Sequence, residues 1–126
     1  MGFRSYSKYN AKRIELSGEV FQSKREARRW LELKNMESHG LISGLQRQKK
    51  FVLIPAQYEP DTKGPRGGRI KGKLLEREVA YYADFVYFDE HEKDFVIEDT
   101  KGVRTAEYII KRKLMLWLNG YQIREV

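Results

Sequence analysis

The stretch Tyr82-Ala83-Asp84-Phe85-Val86-Tyr87-Phe88-Asp89-Glu90-His91-Glu92-Lys93-Asp94-Phe95-Val96-Ile97-Glu98-Asp99-Thr100-Lys101 decides the fold. Residues 78–88 alternate as a strand does, residues 94–100 do so again, and residues 89–93 form a tight polar connection between them. The pattern predicts an antiparallel hairpin. Side chains alternate across a strand, so Asp99 and Lys101 point to one face about 6.6 Å apart, while Glu98 and Thr100 point to the other. Spacing therefore selects Asp99 over Glu98 as the partner of Lys101. With the hairpin closed around residues 89–93, Asp84 falls near the level of residues 98–99 on the paired strand.

Upstream, Ser23-Lys24-Arg25-Glu26 is a capping box, with the serine oxygen placed to accept from the amide three residues on and the Glu26 carboxylate able to reach back to the serine amide. A helix is expected from there through Ala27, Trp30, Leu31, Leu33 and Met36, ending near Ser38-His39-Gly40, where glycine can take the left-handed position. Glu26, Trp30 and Leu33 share one face of it. Residues 14–21 alternate weakly and suit a short hairpin before this helix. Residues 45–54 form a strand stopped by Pro55, polar in its first half and apolar in its second. Downstream, Thr105 can cap a second helix whose expected buried stripe is Ile109, Ile110, Leu114, Trp117 and Leu118, with Asn119-Gly120 ending it. Residues 121–126 form a last strand. The expected fold is α/β (α+β), in the order helix, three strands, helix, strand.

The chain has 126 residues, enough for one domain with a core, with 25 Lys+Arg against 18 Asp+Glu and a net charge of +7. A globular protein this basic commonly meets a polyanion, and nucleic acid is the leading partner. No cysteine is present and histidines number two, so disulfides and zinc fingers are excluded. No apolar run approaches the roughly 20 residues of a membrane helix and the start lacks the apolar segment of a signal peptide, so the expectation is a cytoplasmic protein without a membrane partner. Residues 1–13 read as a flexible basic arm and residues 14–126 as a single domain. Within it, residues 59–73 pack four glycines, two prolines and five cations against two acids, a composition that cannot bury a core. A mobile basic loop at about 59–74 is expected, offering Lys63, Arg66, Arg69, Lys71 and Lys73 to phosphates.

Two carboxylates on neighbouring strands can hold Mg²⁺, which takes hard oxygen ligands, keeps several waters and needs only one or two carboxylates besides phosphate oxygens. Asp84 and Asp99 are the candidate ligands, with the Thr100 carbonyl as a further oxygen and Glu26 as a helical member acting directly or through water. A bound ion lowers the pKa of a water, and Lys101 can position that water and steady the phosphate. The chemistry expected is metal-assisted phosphodiester hydrolysis. The same set reads equally well as a cross-strand salt bridge on a solvated face, and Glu26 as a capping residue alone. Gln46 and Gln48 on the first strand of the core read first as exposed strand residues, with contact to a phosphate or orientation of a water as the alternative. Arg104, Lys111 and Arg112 can line a DNA groove, although a charge run on a helix is usually its solvated face.

Taken in order, Ser23-Lys24-Arg25-Glu26-Ala27-Arg28-Arg29-Trp30, Tyr82-Ala83-Asp84-Phe85-Val86-Tyr87 and Val96-Ile97-Glu98-Asp99-Thr100-Lys101-Gly102 resemble the motifs of the PD-(D/E)XK nuclease superfamily. The resemblance is closest to its small phage and prophage members, long known only as a domain of unknown function. It covers about residues 14–118 and includes Gly40-Leu41-Ile42-Ser43-Gly44-Leu45-Gln46 and Lys111-Arg112-Lys113-Leu114. It implies a restriction-endonuclease-like core with a central mixed four-stranded sheet flanked by helices. It also implies an active site of Asp84, Asp99 and Lys101 with Glu26 from the first helix, and Mg²⁺ or Mn²⁺ as cofactor. Ala83 departs from the proline of the superfamily's name, which affects backbone rigidity rather than ligation. The implied activity is a DNA endonuclease, with branched DNA such as a Holliday junction as substrate and a symmetric homodimer as working form, in a bacterial host's cytoplasm if phage-encoded. The alternative is a non-catalytic basic nucleic-acid-binding module in which the acids are structural.

Overall fold

The protein is described by a computed structural model over residues 13–126, so the arm at residues 1–13 lies outside the described residues except for Arg13. Among them are two helices and ten strands. Four strands make a mixed sheet in the order β10-β9-β8-β3, formed by β3 (Ile42–Ile54), β8 (Val79–Asp89), β9 (Asp94–Asp99) and β10 (Arg124–Glu125). With α1 (Lys24–Ser38) and α2 (Ala106–Asn119), the core runs α1, β3, β8, β9, α2, β10, an α+β fold in the expected order. By contacts the chain divides into two compact units, one of residues 13–49, 83–103 and 123–126, the other of 50–82 and 104–122.

The first unit opens on β1 (Ile14–Leu16) and β2 (Glu19–Phe21), an antiparallel pair. Ser17 and Gly18 between them both have positive φ, 52° and 79°, the requirement of a two-residue hairpin turn. α1 starts as its capping box predicts, with Ser23 Oγ accepting from the Glu26 amide at 3.1 Å, and ends at Gly40 with φ 72°. Its apolar face carries Leu33 onto Ile42 of β3, Phe85 and Tyr87 of β8 and Val96 of β9, all buried, with Trp30 stacked on Phe85 at 6.0 Å. Each fully buried side chain of this size stabilises the unit by about 2 kcal/mol. β8 and β9 pair antiparallel from Phe85 opposite Glu98 to Asp89 opposite Asp94. The turn is held by the Asp89 carboxylate, which accepts from the amides of His91 and Glu92 at 2.9 and 3.0 Å. β10 adds parallel to β9, Glu125 opposite Asp99.

The second unit gathers Leu53, Tyr81, Tyr108 and Met115, all buried. Phe51 and Tyr121 complete its aromatic cluster, with ring centres 6.0 to 6.4 Å apart. α2 begins as expected, Thr105 Oγ1 accepting from the Tyr108 amide at 3.1 Å, and ends on left-handed Gly120. Its buried face, however, is not the expected one. Tyr108 and Met115, seven residues apart, point inward, while Ile110, Trp117 and Leu118 are 58 %, 81 % and 47 % exposed. Apolar residues surround most of this helix, so periodicity left its rotation open, and packing of Tyr108 against Tyr81 chose it.

Residues 57–76 are also more regular than their composition suggests. β4 (Gln57–Tyr58) pairs with β7 (Leu74–Glu76), and inside them β5 (Thr62–Lys63) pairs with β6 (Arg69–Ile70). These strands are exposed throughout. Ladder hydrogen bonds and turn glycines therefore make this hairpin without a core, as composition requires. Gly72 is where the two ladders pinch. A Cβ there would lie 1.7 Å from the Glu59 carbonyl oxygen. Gly72→Ala is expected to part residues 59 and 73, whose backbone bond is 2.8 Å long, and to raise amide exchange at Glu59 about tenfold or more while global melting barely moves. Wild-type exchange in the variant would show that the pinch carries no strain. Among the described residues, no helix is long and apolar enough to cross a membrane.

Candidate functional site

Glu26 sits in the first turn of α1, where the helix dipole favours an acid, yet it is 3 % exposed. Its carboxylate turns towards β3. Oε1 lies 3.3 Å from Arg47 Nη2 and 3.4 Å from Gln48 Nε2 on β3, and the carboxylate also takes a backbone hydrogen bond from Gln22. The Glu26 carboxyl is nonetheless pushed above the ordinary range, first by burial and then by the negative charge of Asp84, which together outweigh Arg47 and the Gln22 amide. Arg47 also contacts Glu19 at 3.3 Å and the Val20 carbonyl at 2.9 Å, with its guanidinium 3.9 Å from the Phe21 ring centre.

Asp84 is oriented by Thr100, whose amide and hydroxyl donate to Oδ2 at 2.8 and 2.7 Å. Thr100 thus enters the site as a donor pair. The other Asp84 oxygen, Oδ1, accepts from Gln48 Nε2 at 3.2 Å, so one carboxamide spans the helix carboxylate and the strand carboxylate. Continuing the β8–β9 register by one pair sets Asp84 against Asp99, a separation of about 5 Å between Cβ atoms. Asp99 is 2 % exposed, and its Oδ1 lies 3.1 Å from Lys101 Nζ. The Lys101 carbonyl in turn accepts from Arg25 Nη1 at 2.9 Å. Glu26, Gln48, Asp84, Asp99, Thr100 and Lys101 all belong to the first unit.

Glu98 faces the other way, as strand parity requires, and is completely buried. Arg29 grips it with two donors, Nε to Oε1 at 2.8 Å and Nη2 to Oε2 at 2.7 Å, and the Tyr87 hydroxyl donates to Oε2. Burial and that hydrogen bond push Tyr87 up to about 12, and the Arg29 guanidinium is likewise raised, by its bonds to Glu98 above all. Arg29 is one turn beyond Glu26 and Glu98 adjoins Asp99, so this clamp sets α1 in register with β9. It was not anticipated. The available signal is an arginine on the apolar side of an amphipathic helix: of Arg28 and Arg29, only Arg29 falls beside Leu33, and it is half-buried where Arg28 is exposed.

Gln46, also expected at the site, is exposed on β3. Lys63, Arg66, Arg69, Lys71, Lys73, Arg104, Lys111 and Arg112 belong to the second unit. There Arg69 pairs with Asp61 at 2.5 Å and Lys111 with Glu107 at 2.9 Å. Lys71 and Arg112 lie over the rings of Tyr58 and Tyr108, at 4.5 and 5.9 Å, and Lys63, Arg66 and Lys73 are exposed.

Among the described residues, no three His, Cys, Asp or Glu side chains are gathered closely enough to form a metal centre alone. The donor set still fits a hard divalent cation, which asks for one or two carboxylates and fills its shell with water and phosphate. Buried Glu26 feels the negative charge of half-buried Asp84, and a cation beside them would offset the burial and repulsion that raise Glu26. A family model described as "Protein of unknown function (DUF1064)" matches residues 6–124. No curated protein and no solved structure gives a match.

Proposed function

The chain belongs to the DUF1064 family of proteins of unknown function, and from the site itself we propose that it is a divalent-metal-dependent DNA endonuclease. The observation that carries this is the Gln48 carboxamide spanning Glu26 and Asp84 beside the Asp99–Lys101 pair. A structural salt bridge needs Asp99 and Lys101 alone and gives no reason to set Glu26 near a second carboxylate at a cost visible in its raised pKa. Perturbed acids of this kind are what functional sites arrange. The motif resemblance to the PD-(D/E)XK superfamily supports the same reading and suggests branched DNA among the substrates.

Asp84 and Asp99 would hold the ion, with Glu26 joining directly or through a water; bound there, Mg²⁺ or Mn²⁺ would supply Lewis acidity toward the scissile phosphate and a more acidic water. Lys101, held by Asp99, donates hydrogen bonds to that water or to a phosphoryl oxygen and offsets charge that grows as the sugar oxygen leaves. Thr100 fixes the Asp84 rotamer, and the Arg29–Glu98 clamp keeps the helix carboxylate in position, so little reorganisation is left for the reaction itself. Exposed cations of the β5–β6 hairpin supply sequence-independent attraction to the DNA backbone.

The test is incubation of the protein with plasmid, single-stranded and four-way-junction DNA, with Mg²⁺ or Mn²⁺ and with EDTA. Cleavage is expected with either metal and none with EDTA. Binding without any cleavage on the whole panel would instead establish the non-catalytic nucleic-acid module, which the exposed basic hairpin also suits.

A further inference from the structure

Arg47 and Gln48 are consecutive residues of one strand, and in regular β structure their side chains would point to opposite faces. Both nevertheless reach the same atom, Glu26 Oε1, at 3.3 and 3.4 Å. The backbone explains how: Gln48 has φ 49°, a left-handed conformation inside β3. That conformation is costly for a residue with a Cβ, and when it occurs beside a site it re-aims one side chain. Gln48 is therefore held against its strand preference so that its carboxamide lies between Glu26 and Asp84.

We infer that Gln48 is a further oxygen ligand of the divalent cation, set between Asp84 Oδ1 and Glu26 Oε1 and added to the Asp84–Asp99 pair. The inference rests on the metal-dependent reading above and deepens it. Without a cation, the amide nitrogen is the favourable end to present to two carboxylates, and it lies 3.2 Å from Asp84 Oδ1. A half-turn about the terminal torsion, which is soft in glutamine, exchanges that nitrogen for the carbonyl oxygen without moving the backbone. Hard divalent cations accept side-chain amide oxygens readily. Asp84 Oδ2 is already engaged by both Thr100 donors, which leaves Oδ1, the oxygen that faces Gln48, for the ion.

The experiment is Mn²⁺ titration of the whole chain by calorimetry, with melting in EDTA recorded in parallel, for the wild type, Gln48→Gly, Gln48→Glu and Asp84→Asn. Glycine accepts φ 49° without strain, so Gln48→Gly removes the carboxamide while keeping the fold, and it is expected to weaken Mn²⁺ by about 10- to 100-fold. Gln48→Glu is expected to move the two measurements in opposite directions, lowering the melting temperature in EDTA through a third like charge and tightening Mn²⁺ by about tenfold or more. A merely structural bridge would move melting and leave affinity alone. If Gln48→Gly binds Mn²⁺ as the wild type does while Asp84→Asn has lost it, the ligand assignment is overturned and the metal reading stands. If the wild type takes up no Mn²⁺, both fall together.

Discussion

On the proposed metal-dependent reading, Asp99→Ala is expected to reduce DNA cleavage by about a thousandfold or more, because losing a metal ligand would remove about 4 kcal/mol of transition-state stabilisation and each 1.4 kcal/mol is a factor of ten. DNA affinity should hold or rise, since one charge that repels phosphate is gone. The dissociation matters more than either number. In a binding module whose acids are structural, the variant would leave no catalytic activity to lose, and its effect would appear as instability alone. Asp99 is buried and 3.1 Å from Lys101, so Asp99→Asn, which keeps the volume, should accompany it; cleavage must fall in both variants with melting preserved in the second. Full activity in Asp99→Asn would remove Asp99 from the metal site.

Arg29→Ala is expected to destabilise the protein by about 3–5 kcal/mol, the usual result of leaving a buried charge without its partner. For a chain of this size that lowers the melting temperature by roughly 10–20 °C. Among the described residues, the fully buried Glu98 carboxylate would keep the Tyr87 hydroxyl as its side-chain partner. Arg29→Lys should recover part of the loss, because an ammonium cannot reproduce the two-donor fork of 2.8 and 2.7 Å. Replacing both partners, as Arg29→Met with Glu98→Leu, should recover part of it, since the apolar pair carries no desolvation penalty while the buried Tyr87 hydroxyl loses its acceptor. Arg29→Ala melting with the wild type would mean that the clamp contributes nothing to holding α1 against β9.

The parts legible from the chain alone are those whose physics is local. Ser23 and Glu26 are three residues apart, and one hydrogen bond between them starts α1. Asp89 both ends β8 and holds the turn that starts β9, so alternation on either side sufficed to place Asp84 near Asp99 and to turn Glu98 away from it. The order α1, β3, β8, β9, α2, β10 follows from such signals. The stripe of α2 was misplaced because Ile109, Ile110, Leu114, Trp117 and Leu118 spread around the helix, and no local rule says which side Tyr81 will meet. The ladders at residues 57–76 were hidden because glycine and proline read as irregular whether or not backbone partners close around them.

By itself, then, the sequence determined the core elements, their order and the pairing of Asp84 with the Asp99–Lys101 strand, since caps, alternation and turn chemistry act over a few residues. Only the tertiary structure decided that Gln48 would leave the strand conformation to bridge Glu26 and Asp84, and that Arg29 would reach Glu98 across 69 positions of the chain. Such contacts depend on how a helix and a strand, each already formed, settle against one another. That docking is set by the packing of Trp30, Leu33, Phe85 and Tyr87, a three-dimensional fit that no periodicity encodes.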